Sequence, residues 1–421
     1  METIQIEKVK KLIPELRFFE NEWYEITLGD HIKIKSGNSP SSYKFIYEGR
    51  YPFIKVEELN NCIKYQNSSR FYSNDIKNLI EKFSVIFPKR GAAILNNKVR
   101  INDCSILMDS NMMALTPKRD KLDYEFLYYK IVKEELFKIA DTSTIPQINN
   151  KHIEPYKLFI PSLPEQQKIA SFLSAVDEKI QRLTRKKELL DQYKKGVMQQ
   201  LFSGKLRFKD ENGEDYVDWE EKIFEDIYTF YTTNSLSREK LNYGKGEVKN
   251  IHYGDIHTKY KTLFNINNEL VPFINSDFEL SKIKNENYCQ EGDLVIADAS
   301  EDYADIGKSI EIINLQNTKV VAGLHTFLAR PNKYKMYIGF SGYLLKSENF
   351  RQQIMTIAQG SKVLSISTGR VGKINLNIPS YFEQQKIATF LSSIDSKIES
   401  TTQQITQTQT FKKGLLQKMF V

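Results

Sequence analysis

Three cysteines, Cys62, Cys104 and Cys289, are too few and too scattered for a disulfide framework. They point to a reducing compartment, so a cytoplasmic protein is expected. No apolar run approaches the ~20 residues that a membrane span requires. The opening METIQIEKVKKLIPEL lacks the apolar core and small-residue cleavage site of a secretory signal. Catalytic signatures are equally scarce. The chain has no GxxxxGK[ST] phosphate loop, no GxGxxG after a strand and no HExxH pair. The Asn/Asp-Pro-Pro-aromatic tetrapeptide of an amino-methyltransferase is also missing. These absences speak against a self-contained nuclease or methyltransferase.

What chemistry remains is diffuse. Of five histidines, His252 and His257, with Asp255 between them, come nearest to a metal cluster. No cysteine lies close, and a solvated or base-contacting role is the alternative. The acids of EGDLVIADASEDYADIG, Glu291–Gly307, fit either a nuclease-type metal site or the turn-capping work that loop acids usually do. The formal net charge of +7 leans mildly toward polyanions, and an ordinary basic surface carries as much.

The strongest feature is a repeat. IPSLPEQQKIASFLSAVDEKI (Ile160–Ile180) returns as IPSYFEQQKIATFLSSIDSKI (Ile378–Ile398), and KKGVMQQLF (Lys194–Phe202) as KKGLLQKMF (Lys412–Phe420), at one constant offset. The only two tryptophans, Trp23 and Trp219, open matching stretches, each preceded by LRF. NSPS (Asn38–Ser41) is matched by NSLS (Asn234–Ser237). The chain is therefore two copies of one unit, a globular segment followed by a helix. The helices kept their wording while the globular parts drifted. The boundaries expected are a tail at 1–13, a globular domain at 14–160, a central helix at 161–208, a second globular domain at 209–378 and a distal helix at 379–421.

Both globular segments alternate short β-branched and aromatic runs (YPFIKV, SVIFP, GDLVIAD) with Gly, Asn and Asp punctuation and short helical stretches. This predicts mixed α/β domains, and the whole chain is α+β. Ser162 with Glu165, and Ser380 with Glu383, form S-x-x-E capping boxes ahead of apolar runs. In the first helix Ile169, Val176, Leu183, Leu190 and Val197 recur every seven residues, with Leu173, Ile180 and Leu201 on the same stripe. The second gives Ile387, Ile394 and Leu415 with Leu391, Ile398, Ile405 and Met419. These heptads predict an antiparallel two-helix coiled coil, a spacer of ~60 Å with a domain at each end and a pseudo-twofold relation between the copies. A polar middle, Lys187 and Lys194 in one copy and Thr401 and Thr408 in the other, is expected to specify register. Gly196 and Gly414 recur at one place, implying close helix approach or a shared break.

Candidate DNA contacts are the matched loops, Asn38, Ser39, Ser41 and Asn234, Ser235, Ser237, for which backbone-capping turns are the alternative. Arg70, Lys98 and Arg100 join them in the first domain, and His257, Lys259 and Lys261 in the second. Lys and Arg neutralise phosphates, and Arg and Asn can bond base edges in pairs. Two weak contacts on one rigid spacer act as a bivalent site.

Across residues 14–421, these motifs resemble the specificity subunit of type I restriction–modification enzymes. The duplicated helix starts carry the likeness, with YPFIKVEEL, DSNMMALTP, STIPQIN, EGDLVIADAS and VVAGLHTFLARP. The second copy departs from the pattern by lacking the proline of the first, SYFEQQ against SLPEQQ. The resemblance implies a non-catalytic, bacterial or archaeal subunit. Each domain would read one half of a split DNA site, and half-sites would lie about one helical turn, ~34 Å, apart. The helices would set the gap and dock two methyltransferase subunits. S-adenosylmethionine, ATP and Mg would sit on partner subunits, with two motor–nuclease subunits completing the complex, and none on this chain. An orphan DNA-binding scaffold of the same architecture is the alternative.

Overall fold

The computed structural model describes residues 14–20, 22–142 and 145–420; the tail expected at 1–13 lies outside them. The chain divides into two compact units, one made of residues up to Thr184 together with Gln403 onward, the other of Arg185–Thr402. Each unit thus holds one globular segment and part of both long helices, Leu163–Phe202 and Tyr381–Met419.

In the first unit the globular segment is closed by an antiparallel strand pair, Tyr24–Thr27 against Lys157–Ile160. The chain therefore enters and leaves the domain side by side. A five-stranded sheet runs in the order 32–36, 112–117, 85–88, 100–102, 65–66, with 51–54, 72–73 and 107–108 forming a smaller sheet. The second unit repeats this plan. Glu220–Ile223 pairs with Asn375–Ile378, and its five-stranded sheet follows the order 228–231, 326–331, 294–297, 309–314, 263–265. In both sheets the last pairing is parallel and the others are antiparallel.

Pro164 stands in the first turn of its helix, where no intrahelical amide is needed. The expected capping boxes form differently. The Ser380 hydroxyl accepts from the Glu383 amide at 3.3 Å, while both glutamates are taken up by partners from elsewhere in the chain. Glu383 is fully buried and accepts from Arg207 Nη2 (2.8 Å) and Trp219 Nε1 (3.1 Å). Glu165, also fully buried, accepts instead from the Phe18 and Phe19 amides at 3.3 and 3.4 Å. The following glutamines act alike. Gln166 donates to the Pro161 carbonyl at 2.9 Å and accepts from the Asp123 amide at 2.9 Å. Gln384 donates to the Pro379 carbonyl at 3.0 Å and accepts from the Tyr337 amide at 2.9 Å. The EQQ wording therefore welds the helix start to its domain, because a buried carboxylate or amide must be satisfied by whatever backbone lies against it.

Within each unit the helices run antiparallel. Ile169, Leu173 and Val176 share a core with Leu415 and Met419, and with Trp23 and Phe126 of the domain. In the other unit Val197 and Leu201 join Ile387, Leu391 and Ile394, together with Phe224 and Tyr343. The stripe is thus part coiled-coil seam, part domain core. Ile180, Leu183, Leu190, Ile398 and Ile405 are half-buried.

The polar middle differs from expectation. Thr401 and Thr408 are buried but donate to carbonyls four residues back in their own helix, Lys397 at 2.8 Å and Gln404 at 2.7 Å. Lys187 pairs with Asp191 of its own helix at 2.8 Å. Of these four residues, Lys194 alone is bonded across to the other helix, to Asp395 at 2.5 Å. Gly196 and Gly414 also differ. The helices pass through both unbroken, and a β-carbon there would meet nothing within 4 Å.

Candidate nucleic-acid interface

The two Asn-Ser loops occupy the same place in their domains. The Asn38 amide donates to the Met108 carbonyl at 3.0 Å, and the Asn234 amide to the Ala322 carbonyl at 3.1 Å. The strands 107–108 and 320–322 hold corresponding positions, each pairing in parallel with a strand of the smaller sheet. The side chains are engaged in unequal degree. Asn234 donates to the Ala322 carbonyl (3.0 Å) and accepts from Asn250 Nδ2 (2.9 Å) and the Leu236 amide (3.1 Å). Asn38 accepts one longer bond, 3.3 Å from Asn78 Nδ2. Ser39 and Ser41 are exposed and bond each other at 2.9 Å, and Ser235 and Ser237 are exposed. The asparagines build the loop and the serines present it.

Arg70 is well separated in sequence from Lys98 and Arg100, yet all three reach the stretch Glu57–Cys62. Arg70 pairs with Glu57 (2.5 Å) and Glu58 (2.7 Å). Lys98 donates to Asn60 Oδ1 at 2.6 Å, and Arg100 Nε donates to the Cys62 carbonyl at 2.9 Å. A phosphate arriving here would compete with an internal partner for every cation.

In the second domain Lys259 ends the short helix Tyr253–Thr258 and pairs with buried Asp255 at 2.8 Å. His257, in that helix, has Nε2 3.0 Å from the Ala299 carbonyl oxygen, so this nitrogen carries the proton, while Nδ1 is buried without a partner among the described residues. Lys261 pairs with Glu399 of the second long helix and is not part of this group. The residue missed in the sequence is Arg238, immediately after NSLS, which bonds Asp255 Oδ2 at 2.6 Å. Its adjacency to the loop motif was the available signal. Burial, with Arg238 alongside, lowers the His252 pKa to about 4, so this histidine is neutral at pH 7 and its Nδ1 accepts from the Gly254 amide at 3.2 Å.

Two further groups were invisible to motif reading. The Tyr253 ring lies 4.7, 5.9 and 5.3 Å from the rings of His252, His257 and His325. Exposed His325, held at φ 54°, contacts Asp298 at 3.2 Å. Most acids of Glu291–Gly307 have partners within the domain. Asp293 pairs with Arg330 at 2.8 Å, and Asp302 accepts from the Ala304 amide at 2.8 Å. Among the described residues no group of three or more His, Cys, Asp or Glu side chains could hold a metal. Among them too, no helix is long and apolar enough to cross a membrane.

Each unit thus carries an internally bonded Asn-Ser loop at the same place in its domain. The family model for the type I restriction modification DNA specificity domain matches the chain twice, over residues 20–192 and 216–409. The chain belongs to this family. It is 27% identical over 420 residues to the type I restriction enzyme MjaVIII specificity subunit of Methanocaldococcus jannaschii, covering 94% of this chain and 91% of that one. The putative MjaX specificity subunit of the same organism is 24% identical, with 87% and 85% covered. Among solved structures, the type I restriction-modification S subunit from M. genitalium superposes with a TM-score of 0.59 at 16% identity, over 97% of this chain and 99% of that one. A chain from a structure of the type I R-M system, on its complex assembly and conformational transition, gives 0.58 at 13%, covering 96% and 99%. These two likenesses bear on the fold alone.

Proposed function

We propose that this chain is the specificity subunit of a type I restriction–modification complex and performs no catalysis itself. Each globular domain reads one half of a split DNA site, while the long helices set the gap and dock two methyltransferase subunits. S-adenosylmethionine belongs to those partners, and ATP and Mg to two motor–nuclease subunits. The complex works in the cytoplasm of a bacterial or archaeal cell. The observation that carries this reading is the duplication of one loop platform, Asn38–Ser41 and Asn234–Ser237, at the same point of two matching sheets. A repeated platform with drifted surroundings suits the reading of two different base sequences with one geometry. The target adenine must leave the duplex to be methylated, which costs a few kcal/mol, and the pocket that receives it lies on the methyltransferase.

The test is a map of methylated bases in the host genome with and without the gene. Loss of a single split, asymmetric motif methylated on adenine in both strands is expected. An unchanged map counts against the reading. At residue level, Lys98→Ala should weaken DNA binding and reduce the salt slope by about 1 without altering sequence preference. An unchanged slope removes Lys98 from the phosphate contacts.

A further inference from the structure

One polar constellation occurs twice. In the first unit Tyr129, fully buried on the domain helix Tyr124–Glu134, donates its hydroxyl to Asp177 Oδ2 at 2.6 Å. Asp177 belongs to the first long helix, and its other oxygen pairs with Lys412 of the second at 2.6 Å. In the second unit fully buried Tyr343 donates to Asp395 Oδ2 at 2.7 Å, and Asp395 Oδ1 pairs with Lys194 at 2.5 Å. The helices have exchanged roles: here the aspartate is on the second and the lysine on the first. Each lysine also lies over its tyrosine ring, 5.5 Å from the centroid in one unit and 5.1 Å in the other. Asp177 and Asp395 hold corresponding places in the repeat, as do Lys194 and Lys412.

We propose that Tyr129–Asp177–Lys412 and Tyr343–Asp395–Lys194 are positioning clamps that each lock a recognition domain and both helices into one register, and so fix the gap between half-sites that the protein accepts. The inference rests on the proposed reading of a split site and deepens it.

The physical case is one of alternatives. An apolar heptad seam tolerates sliding, because displaced side chains still meet apolar neighbours, and the threonines of the polar middle bond only their own helix. A slide of one helical turn is ~5.4 Å, more than the ~3.4 Å rise of one base pair. In a slipped register each aspartate would lose its lysine while its tyrosine stayed behind. Asp177 is buried, and a buried carboxylate robbed of its cation is far costlier than a misplaced leucine; Asp395 is half-buried, so its clamp is the weaker of the two. Register is thus specified by three-way polar contacts, made once in each unit.

The test uses the full chain with its methyltransferase partner. Duplexes carry both half-sites from the genome map, with the gap unchanged or one base pair shorter or longer. The variants are the isosteric pair Asp177→Asn with Asp395→Asn, and the milder pair Tyr129→Phe with Tyr343→Phe, which keeps the protein folded should the first fail. Wild type is expected to methylate one gap only. In the variants, discrimination between the native gap and its neighbours should fall by about tenfold, the worth of ~1.4 kcal/mol, with half-site sequences unchanged. The exchange Asp177→Lys with Lys412→Asp should recover discrimination relative to Asp177→Lys alone. Equal weakening on all gaps, with discrimination intact, would overturn the clamps and leave the split-site reading standing. A wild type that methylates no split site would sink that reading, and the clamps' role with it.

Discussion

The two units share a frame and differ inside it. In the second, Glu383 is closed off by Arg207 and Trp219. In the first, Arg17 of the matching LRF is exposed, and Glu165 Oε2 and Trp23 Nε1 are buried without a partner among the described residues. The five-stranded sheets differ similarly. Ile101 pairs with Tyr65 and Val85, and the residue paired in the same way with Leu263 and Leu294 is Glu311. Beside it, Lys64 of the first unit is buried against Glu125 at 2.5 Å and Ser174 at 2.6 Å. A fold can thus be copied while its interior polar partners are reassigned, because backbone pairing fixes the frame and each buried charge needs only some local answer.

The sharpest way to break this comparison is Arg207→Ala, which strands a fully buried carboxylate and should destabilise the second unit by ~3 to 5 kcal/mol. Arg17→Ala should change stability by less than ~0.5 kcal/mol. Urea unfolding followed by amide hydrogen exchange separates the units, and similar losses would erase the asymmetry.

Lys64→Met should cost the first unit ~3 kcal/mol by leaving Glu125 without its cation, and adding Glu125→Leu should recover most of it. A double variant as unstable as the single would mean that packing, not charge, holds this site.

Glu311 gives a pH signature confined to the second unit. Burial raises its pKa from 4.5 to about 7, only partly opposed by the Gly339 and Gly342 amides, which it accepts at 2.6 Å each. The folded state therefore holds the proton more tightly than the unfolded. Its stabilising contribution is complete below pH 4.5 and is lost as pH rises through 7, a swing of at most ~3 kcal/mol. Unfolding measured between pH 5 and 8 should show this decline in wild type and a flatter profile in Glu311→Gln. Equal slopes would show that Glu311 is not the titrating group.

The smallest effect should be the same in both copies. Gly196→Ala and Gly414→Ala meet open space in unbroken helices, so each should stabilise by ~0.5 to 1 kcal/mol. A loss at either site would restore a role for helix approach there.

The repeat, the helix starts and the apolar stripes were legible because they are local or periodic. A helix start needs only its own few residues, and a heptad declares its buried face by spacing. Partner choice was not legible. The S-x-x-E pattern indicates a cap, yet Glu383 turns to Arg207 because the linker happens to lie against it. The candidate cations Arg70, Lys98 and Arg100 look free in sequence, and only folding brings all three onto Glu57–Cys62. His257 reads as an available side chain and proves to be turned inward.

By itself, then, the sequence determined that this protein is a duplicated pair of mixed α/β domains on two long amphipathic helices, since repetition and period need no partner to be visible. Tertiary structure alone decided which carboxylate meets which cation, which loop groups are already satisfied, and that an aspartate, a tyrosine and a lysine from three separate elements converge in each unit. Those choices belong to distance in space, and burial raises their energetic weight by stripping away the water that would otherwise make them interchangeable.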